Sequence, residues 1–223
     1  FVFYDTANNG VYDAADDRAI PGVTVTLSLA SGAPVVDVDG NTVVTQTTTI
    51  SGTYLFENLK PGDYIVSVTA PAGYRSSSDI ATTADPNTPD TDNDDNGIGT
   101  SNQVSSGTIR LRSASEPAAG IDGDDIHGNM TIDFGFFEPV NVGNLVFFDR
   151  DNNALYNTIT DSPLISATIT LLPATGNGVV KDVDGNDVLP YTTLDGYYNF
   201  DNLWPGTYRV QVTAPDGYLS STD

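Results

Sequence analysis

Tyr54, Phe56, Leu59, Pro61-Gly62, Tyr64 and Gly73-Tyr74 return 144 positions later as Tyr198, Phe200, Leu203, Pro205-Gly206, Tyr208 and Gly217-Tyr218. Ser76-Ser77-Ser78-Asp79 returns likewise as Ser220-Ser221-Thr222-Asp223. Self-similarity at a fixed period means one structural unit used more than once. One residue is gained near Lys181 and one is lost before Gly196, both in loop or hairpin regions. The expected organisation is a complete module over residues 1–138, a short linker over 139–141 and a second module over 142–223. The second lacks counterparts of Ile109–Leu111 and Met130–Phe136, its last two strands. That reads as a window on a longer array, or as a subunit whose ends are completed by its neighbours.

Period-two alternation sets the fold class. Val23, Val25, Leu27 and Leu29 share one face of an expected strand, as do Tyr64, Val66 and Val68. Thr53–Phe56, Thr108–Arg112 and Met130–Phe136 are further strand candidates, and Asp39-Gly40 is a hairpin turn dipeptide between Val35–Val38 and Thr42–Val44. No long stretch carries helical periodicity. The expectation is an all-β chain of tandem β-sandwich modules.

The acids are distributed with a purpose. Of 30 acidic residues only Glu57, Glu116 and Glu138 are Glu; the rest are Asp, against 8 basic residues, for a formal charge of −22. Helices prefer Glu, whereas Asp goes to turns and cation loops. Asp5 to Asp16 has the spacing of an EF-hand-type calcium loop: Asp5 at position 1, Asn9 at 5, Gly10 at the tight turn, the Val11 carbonyl at 7, Asp13 at 9 and Asp16 at 12. Ala7 cannot ligate at position 3. A second candidate, Asp92-Asn93-Asp94-Asp95-Asn96-Gly97-Ile98, supplies Asp92, Asp94, Asn96 and the Ile98 carbonyl, with Asp90 as an extra ligand. It lies in the run Asp79–Gln103, which has almost nothing to bury and is expected to be ordered by metal. The second copy of the first loop offers Asp149, Asp151, Asn153 and the Leu155 carbonyl. There Asp151 restores position 3, but Ala154 replaces the loop glycine, Asn157 replaces Asp13 and Thr160 stands where Asp16 does.

These motifs resemble a known family. Phe1–Asp5 with Asn9-Gly10-Val11, Ile20–Val25, Gly52–Leu59, Pro61–Tyr64, Pro71–Tyr74 and Thr131–Phe136 look like the B-type repeats of serine–aspartate-repeat surface adhesins, with their Cna-B-like relatives. The resemblance implies an immunoglobulin-like or prealbumin-like sandwich, Ca²⁺ in the Asp5 loop and an extracellular stalk role. Some related domains carry an internal Lys–Asn crosslink. Lys60 falls in a turn and Lys181 in a hairpin, neither on an early core strand, so no such crosslink is expected.

Catalysis finds little to work with. The single histidine, His127, sits in an acidic turn, there is no cysteine, and no serine has a nucleophile-elbow context. The negative charge argues against nucleic acid, and no apolar stretch suggests membrane insertion. The expected function is a calcium-binding structural repeat, a rigid stalk of a bacterial surface adhesin or matrix protein. Its partners are then neighbouring repeats or copies of itself. The alternatives are a self-assembling filament or surface-layer subunit completed by strand exchange, and a carbohydrate-binding module touching surface polysaccharide. For the last, Trp204 is the stacking candidate, its other reading being packing on its own module.

Overall fold

The computed structural model describes residues 1–77, 85–87, 93–99, 103–114, 116 and 127–221. The chain divides into two compact units, Phe1–Glu138 and Pro139–Asp223. All regular elements among the described residues are strands.

The first unit contains β1 (Val2–Tyr4), β2 (Arg18–Ala19), β3 (Thr24–Leu29), β4 (Gln46–Thr47), β5 (Gly62–Thr69), β6 (Arg75–Ser76), β7 (Gly97–Ile98), β8 (Gln103–Ser106), β9 (Ile109–Leu111) and β10 (Phe134–Phe137). One sheet has the order β2-β1-β10-β6. The other runs β4-β3-β5-β8-β7, with β9 also paired to β5. β1 and β10 lie parallel, Val2 opposite Phe134 and Tyr4 opposite Phe136, so the first and last strands of the unit are neighbours. Val2, Phe134 and Phe136 of one sheet meet Val25, Tyr64, Val66, Val68, Val104 and Ile109 of the other in a single core. This is the face-to-face sandwich that alternating apolar residues demand. β10 departs from alternation, because Phe134, Gly135, Phe136 and Phe137 are all buried. Met130, at the start of the expected strand Met130–Phe136, lies outside β10 and is 36% exposed.

The second unit contains β11 (Val140–Leu145), β12 (Phe147–Phe148), β13 (Ser162–Pro163), β14 (Thr168–Pro173), β15 (Tyr191–Thr192), β16 (Tyr197–Leu203) and β17 (Tyr208–Thr213). β14 pairs with β17, Thr168 opposite Thr213, in the same register as Thr24 opposite Thr69 in the β3–β5 pair. Val140 and Asn141, expected as linker, are instead the first two residues of β11, which lies antiparallel to β16. Ile169, Leu171, Phe200 and Leu203 centre the core.

Two small devices repeat along with the strands. The Tyr64 hydroxyl donates to the Lys60 carbonyl at 2.6 Å, and the Tyr208 hydroxyl donates to the Trp204 carbonyl at 2.8 Å. Buried Thr48 accepts from the Val23 N–H and donates to the Ile20 carbonyl. Thr193 does the same between Ala167 and Leu164. Each hydroxyl satisfies backbone groups that would otherwise be buried at a cost. Thr53–Phe56, expected as a strand, joins no ladder among the described residues, whereas its counterpart Tyr197–Leu203 is β16.

Candidate metal site

The acidic loops grow out of β1 and β12 by the same local chemistry. In the first, Asp5 follows the strand and is fully buried. Its two carboxylate oxygens accept the N–H groups of Asn9 at 3.1 Å and Gly10 at 2.8 Å. Asn9 Oδ1 accepts the Val11 N–H at 2.9 Å. The second loop repeats these bonds: Asp149 accepts Asn153 at 3.2 Å and Ala154 at 2.8 Å, and Asn153 accepts Leu155 at 2.7 Å. An aromatic ring then holds each loop against its strand. Tyr12 sits edge-on to Phe3 with centroids 5.5 Å apart, and Tyr156 lies 5.2 Å from Phe147.

Closure of the loop differs from the expected spacing. The turn Asp13–Asp17 is tightened by the Asp17 N–H on the Asp13 carbonyl at 2.7 Å. It brings Asp17 back, where Oδ1 accepts the Thr6 N–H at 2.8 Å and Oδ2 the Asp13 N–H at 3.0 Å. Asp16, the expected twelfth-position ligand, is exposed and supplies its main-chain carbonyl to the Thr6 hydroxyl. In the second loop Asp161 plays the part of Asp17, accepting Arg150 N–H at 3.1 Å and Asn157 N–H at 2.8 Å. The signal was in the repeat itself: Asp17 recurs as Asp161, while Asp16 becomes Thr160.

With that register, three carboxylates converge. Asp149, Asp151 and Asp161 each bring an oxygen within 4.8 Å of the others, and they are the one such acidic group among the described residues. Asp151 replaces Ala7 of the first loop, so the first loop retains only Asp5 and Asp17 of this trio. Its Asp13 accepts the Ala15 N–H at 2.9 Å in a local turn. Crowding of like charge shows in the acidities. Loss of hydration pushes the Asp151 carboxyl above its ordinary range, and the Asp149 and Asp161 carboxylates push it further. Loss of hydration pushes Asp149 the same way, but the Ala154 N–H, the Ser221 hydroxyl and the Asn153 N–H together hold it below the ordinary range.

Only part of the second expected calcium loop lies within the described residues. Asp90 and Asp92 lie outside the described residues. Asp94, Asp95 and Asn96 are buried, and their segment docks on the first loop: the Tyr12 N–H donates to the Asn93 carbonyl at 2.7 Å and the Asp95 N–H to the Gly10 carbonyl at 2.9 Å. Asp95 Oδ1 accepts the N–H groups of Gly97 and Gly135, and Asn96 Oδ1 accepts that of Asp133. Ile98 belongs to β7, opposite Ser105. These side chains fasten the loop to β10.

Two further acidic turns close on themselves. Asp37 takes the N–H groups of Asn41 and Asp39, and Asp182 takes those of Asn186 and Asp184. The Asn41 N–H chiefly holds the Asp37 carboxyl below its ordinary range, and the Asn186 side-chain amide chiefly does so for Asp182. Trp204 donates its indole N–H to the Asp182 carbonyl at 3.1 Å, which sets it on its own module.

Ala154 is the loop's weak point. It holds φ +61°, the left-handed conformation that Gly10 adopts at +71° without steric cost. Ala154→Gly is expected to stabilise the second unit by up to about 1 kcal/mol, relief of strain being partly offset by the looser unfolded chain. Chemical denaturation of the variant beside the parent measures it.

The model of the SdrD B-like domain family matches residues 1–119 and 140–223. Serine-aspartate repeat-containing protein D of Staphylococcus aureus (strain Newman) is 32% identical over 220 residues, 98% of this chain and 13% of that protein. Serine-aspartate repeat-containing protein F of Staphylococcus epidermidis is 28% identical over 98% of this chain and 10% of its own length. The chain thus spans a small part of these relatives. Among solved structures, the Streptococcal ancillary pilin aligns with 98% of this chain and 55% of its own, at 20% identity and a TM-score of 0.30. The shaft pilin SpaA from Lactobacillus rhamnosus GG aligns with 98% and 88%, at 16% identity and a TM-score of 0.31. At such TM-scores the architecture rests on the strand pairing described above. Among the described residues no helix is long and apolar enough to cross a membrane. By sequence, the chain belongs to the SdrD B-like domain family, structural repeats of cell-surface adhesins and not a family of enzymes.

Proposed function

We propose that this chain is a calcium-binding stalk repeat, with its best-formed cation site in the second loop. The observation that supports it is the convergence of Asp149, Asp151 and Asp161. Three carboxylates brought this close repel one another in the absence of a cation. Ca²⁺ takes six to eight oxygens from a flexible loop, and the side chain of Asn153 and the carbonyl of Leu155 are the nearest further donors in sequence. Asp5 and Asp17 with Asn9, Val11 and Asp13 form the poorer counterpart. Bound calcium would lock the strand that enters each loop to the turn that leaves it, stiffening the module. No catalytic group is assigned under this reading, and its partners are neighbouring repeats.

Sites of this extracellular kind bind at roughly 10⁻⁴–10⁻³ M. At about ten times that concentration a site adds roughly 1.4 kcal/mol by linkage. The sharpest test is Asp151→Asn, which removes one charge from the cluster and keeps the side chain's shape. In chelator the variant is expected to melt at or above the parent temperature, because crowding is relieved. In millimolar calcium it is expected to melt below the parent. Calorimetric scans of the full chain in both buffers decide it, and equal shifts of the same sign would remove calcium from the account.

A further inference from the structure

We propose that Asn177 is a site of spontaneous deamidation, at which the main-chain nitrogen of Gly178 displaces ammonia from the side-chain amide beside the Arg209 guanidinium. This inference is independent of calcium. It rests on the different surroundings of three Asn-Gly pairs, Asn9-Gly10, Asn96-Gly97 and Asn177-Gly178.

An asparagine followed by glycine is the pair most open to this reaction, because glycine has no Cβ to keep its nitrogen from the neighbouring Cγ. That nitrogen must give up its proton and move onto the carbonyl carbon. In two of the pairs the fold opposes both steps. The buried Gly10 N–H is held by Asp5 Oδ2 at 2.8 Å, and Asn9 Oδ1 is turned to the Val11 N–H at 2.9 Å. The buried Gly97 N–H is held by Asp95 Oδ1 at 2.9 Å, and Asn96 Oδ1 accepts the Asp133 N–H at 2.8 Å. A carboxylate acceptor strengthens each N–H bond and opposes loss of its proton.

Asn177-Gly178 is built the other way. Both residues are exposed in the loop after β14, and among the described residues the Gly178 N–H meets no acceptor. In place of a carboxylate there is a cation. Arg209 of β17 donates its Nε–H to the Pro173 carbonyl at 3.1 Å and Nη2 to that of Gly176, which fixes the guanidinium against the loop. Nη2 also lies 3.4 Å from Asn177 Oδ1. When the Gly178 nitrogen bonds to Asn177 Cγ, negative charge gathers on Oδ1, and a fixed donor beside that atom stabilises it. The Gly178 proton passes to solvent hydroxide. The amide nitrogen takes a proton from water and leaves as ammonia, and a cyclic imide remains. Water opens the ring at either carbonyl, so that asparagine and water become ammonia and aspartate or isoaspartate. The corresponding loop of the first unit, Ala30–Ala33, has no asparagine, so the change would mark the second unit alone.

The test is ageing of the full chain in warm, mildly alkaline buffer, read by peptide mass mapping and by isoaspartyl methyltransferase labelling. Asn177 is expected to convert at least about tenfold faster than Asn9 or Asn96, since a nucleophile held out of line loses at least that much. An added Cβ at Gly178 would meet nothing within 4 Å, so Gly178→Ala is expected to fold as the parent does and to slow Asn177 by about tenfold. Arg209→Gln should slow it about two- to fivefold, the effect of one exposed charge, and leave the other two pairs unchanged. Equal rates at the three pairs would overturn the proposal. So would an Asn177 rate that is unchanged or raised in either variant.

Discussion

Asp17→Ala and Asp161→Ala are expected to open the two acidic loops, whereas Asp16→Ala and Thr160→Ala leave them closed. Asp161 is buried and each of its oxygens takes a backbone N–H, from Arg150 on one side of the loop and Asn157 on the other. Alanine leaves both donors without that acceptor. Hydrogen bonds to a charged group are each worth about 1.5–3 kcal/mol, and partial rehydration of a surface loop returns some of that, so a net loss of about 2–3 kcal/mol in chelator is expected. In calcium the loss deepens by the linkage contribution, roughly 1.4 kcal/mol at about ten times the dissociation constant, because the trio of carboxylates is broken. Asp17→Ala should cost a similar amount in chelator, through Thr6 and Asp13, with a smaller calcium-dependent part since Ala7 leaves that loop one carboxylate short. Asp16 is exposed and lends the loop only its main-chain carbonyl, so Asp16→Ala should stay within about 0.5 kcal/mol. Denaturant titrations of the four variants, with and without chelator, check the set. An Asp16→Ala loss as large as that of Asp17→Ala would restore the spacing expected from sequence.

Phe134→Ala is expected to be the most damaging single change in the first unit. The ring is fully buried, its strand lies directly beside β1, and Tyr54 packs near it at 6.5 Å between centroids. Removing a buried phenyl ring costs about 3–5 kcal/mol through lost transfer energy and the cavity left behind. For a unit of this size that corresponds to a melting temperature lower by roughly 10–15 °C. Met130→Ala is the control. It shares the apolar alternation but is substantially exposed, so it should cost below about 1 kcal/mol. Scanning calorimetry of both variants reads the contrast. A Met130 loss equal to that of Phe134 would mean that inward and outward faces have been misassigned here.

The two copies show what was legible from residues alone. Period-two alternation in Val23–Leu29 and Tyr64–Val68 matches β3 and β5, because side chains on a pleated strand must choose a face and only one face is buried. Turn chemistry was equally legible: the Asp37–Asn41 and Asp182–Asn186 turns recur because an aspartate accepting N–H groups ahead of it is a local arrangement. The position of the acidic loops after β1 and β12 followed from the same local rules.

Tertiary structure decided what depends on partners distant in sequence. Calcium-loop spacing suggested Asp16, but the turn at Asp13–Asp17 determines which carboxylate faces back towards the start of the loop, and it selects Asp17 and Asp161. Asp94 and Asn96 were expected as loop ligands; what the residues alone did not show is that their segment is buried, with Asp95 and Asn96 accepting the N–H groups of Gly135 and Asp133. Counting acids favoured the first loop over its second copy, whereas among the described residues it is Asp149, Asp151 and Asp161 of the second copy whose carboxylates converge. The clearest case is Tyr197–Leu203, whose ladder is made with β11, more than fifty residues earlier in the chain. Propensity makes a stretch extended; only a neighbouring backbone makes it a strand, because the hydrogen bonds that define a strand belong to two segments at once.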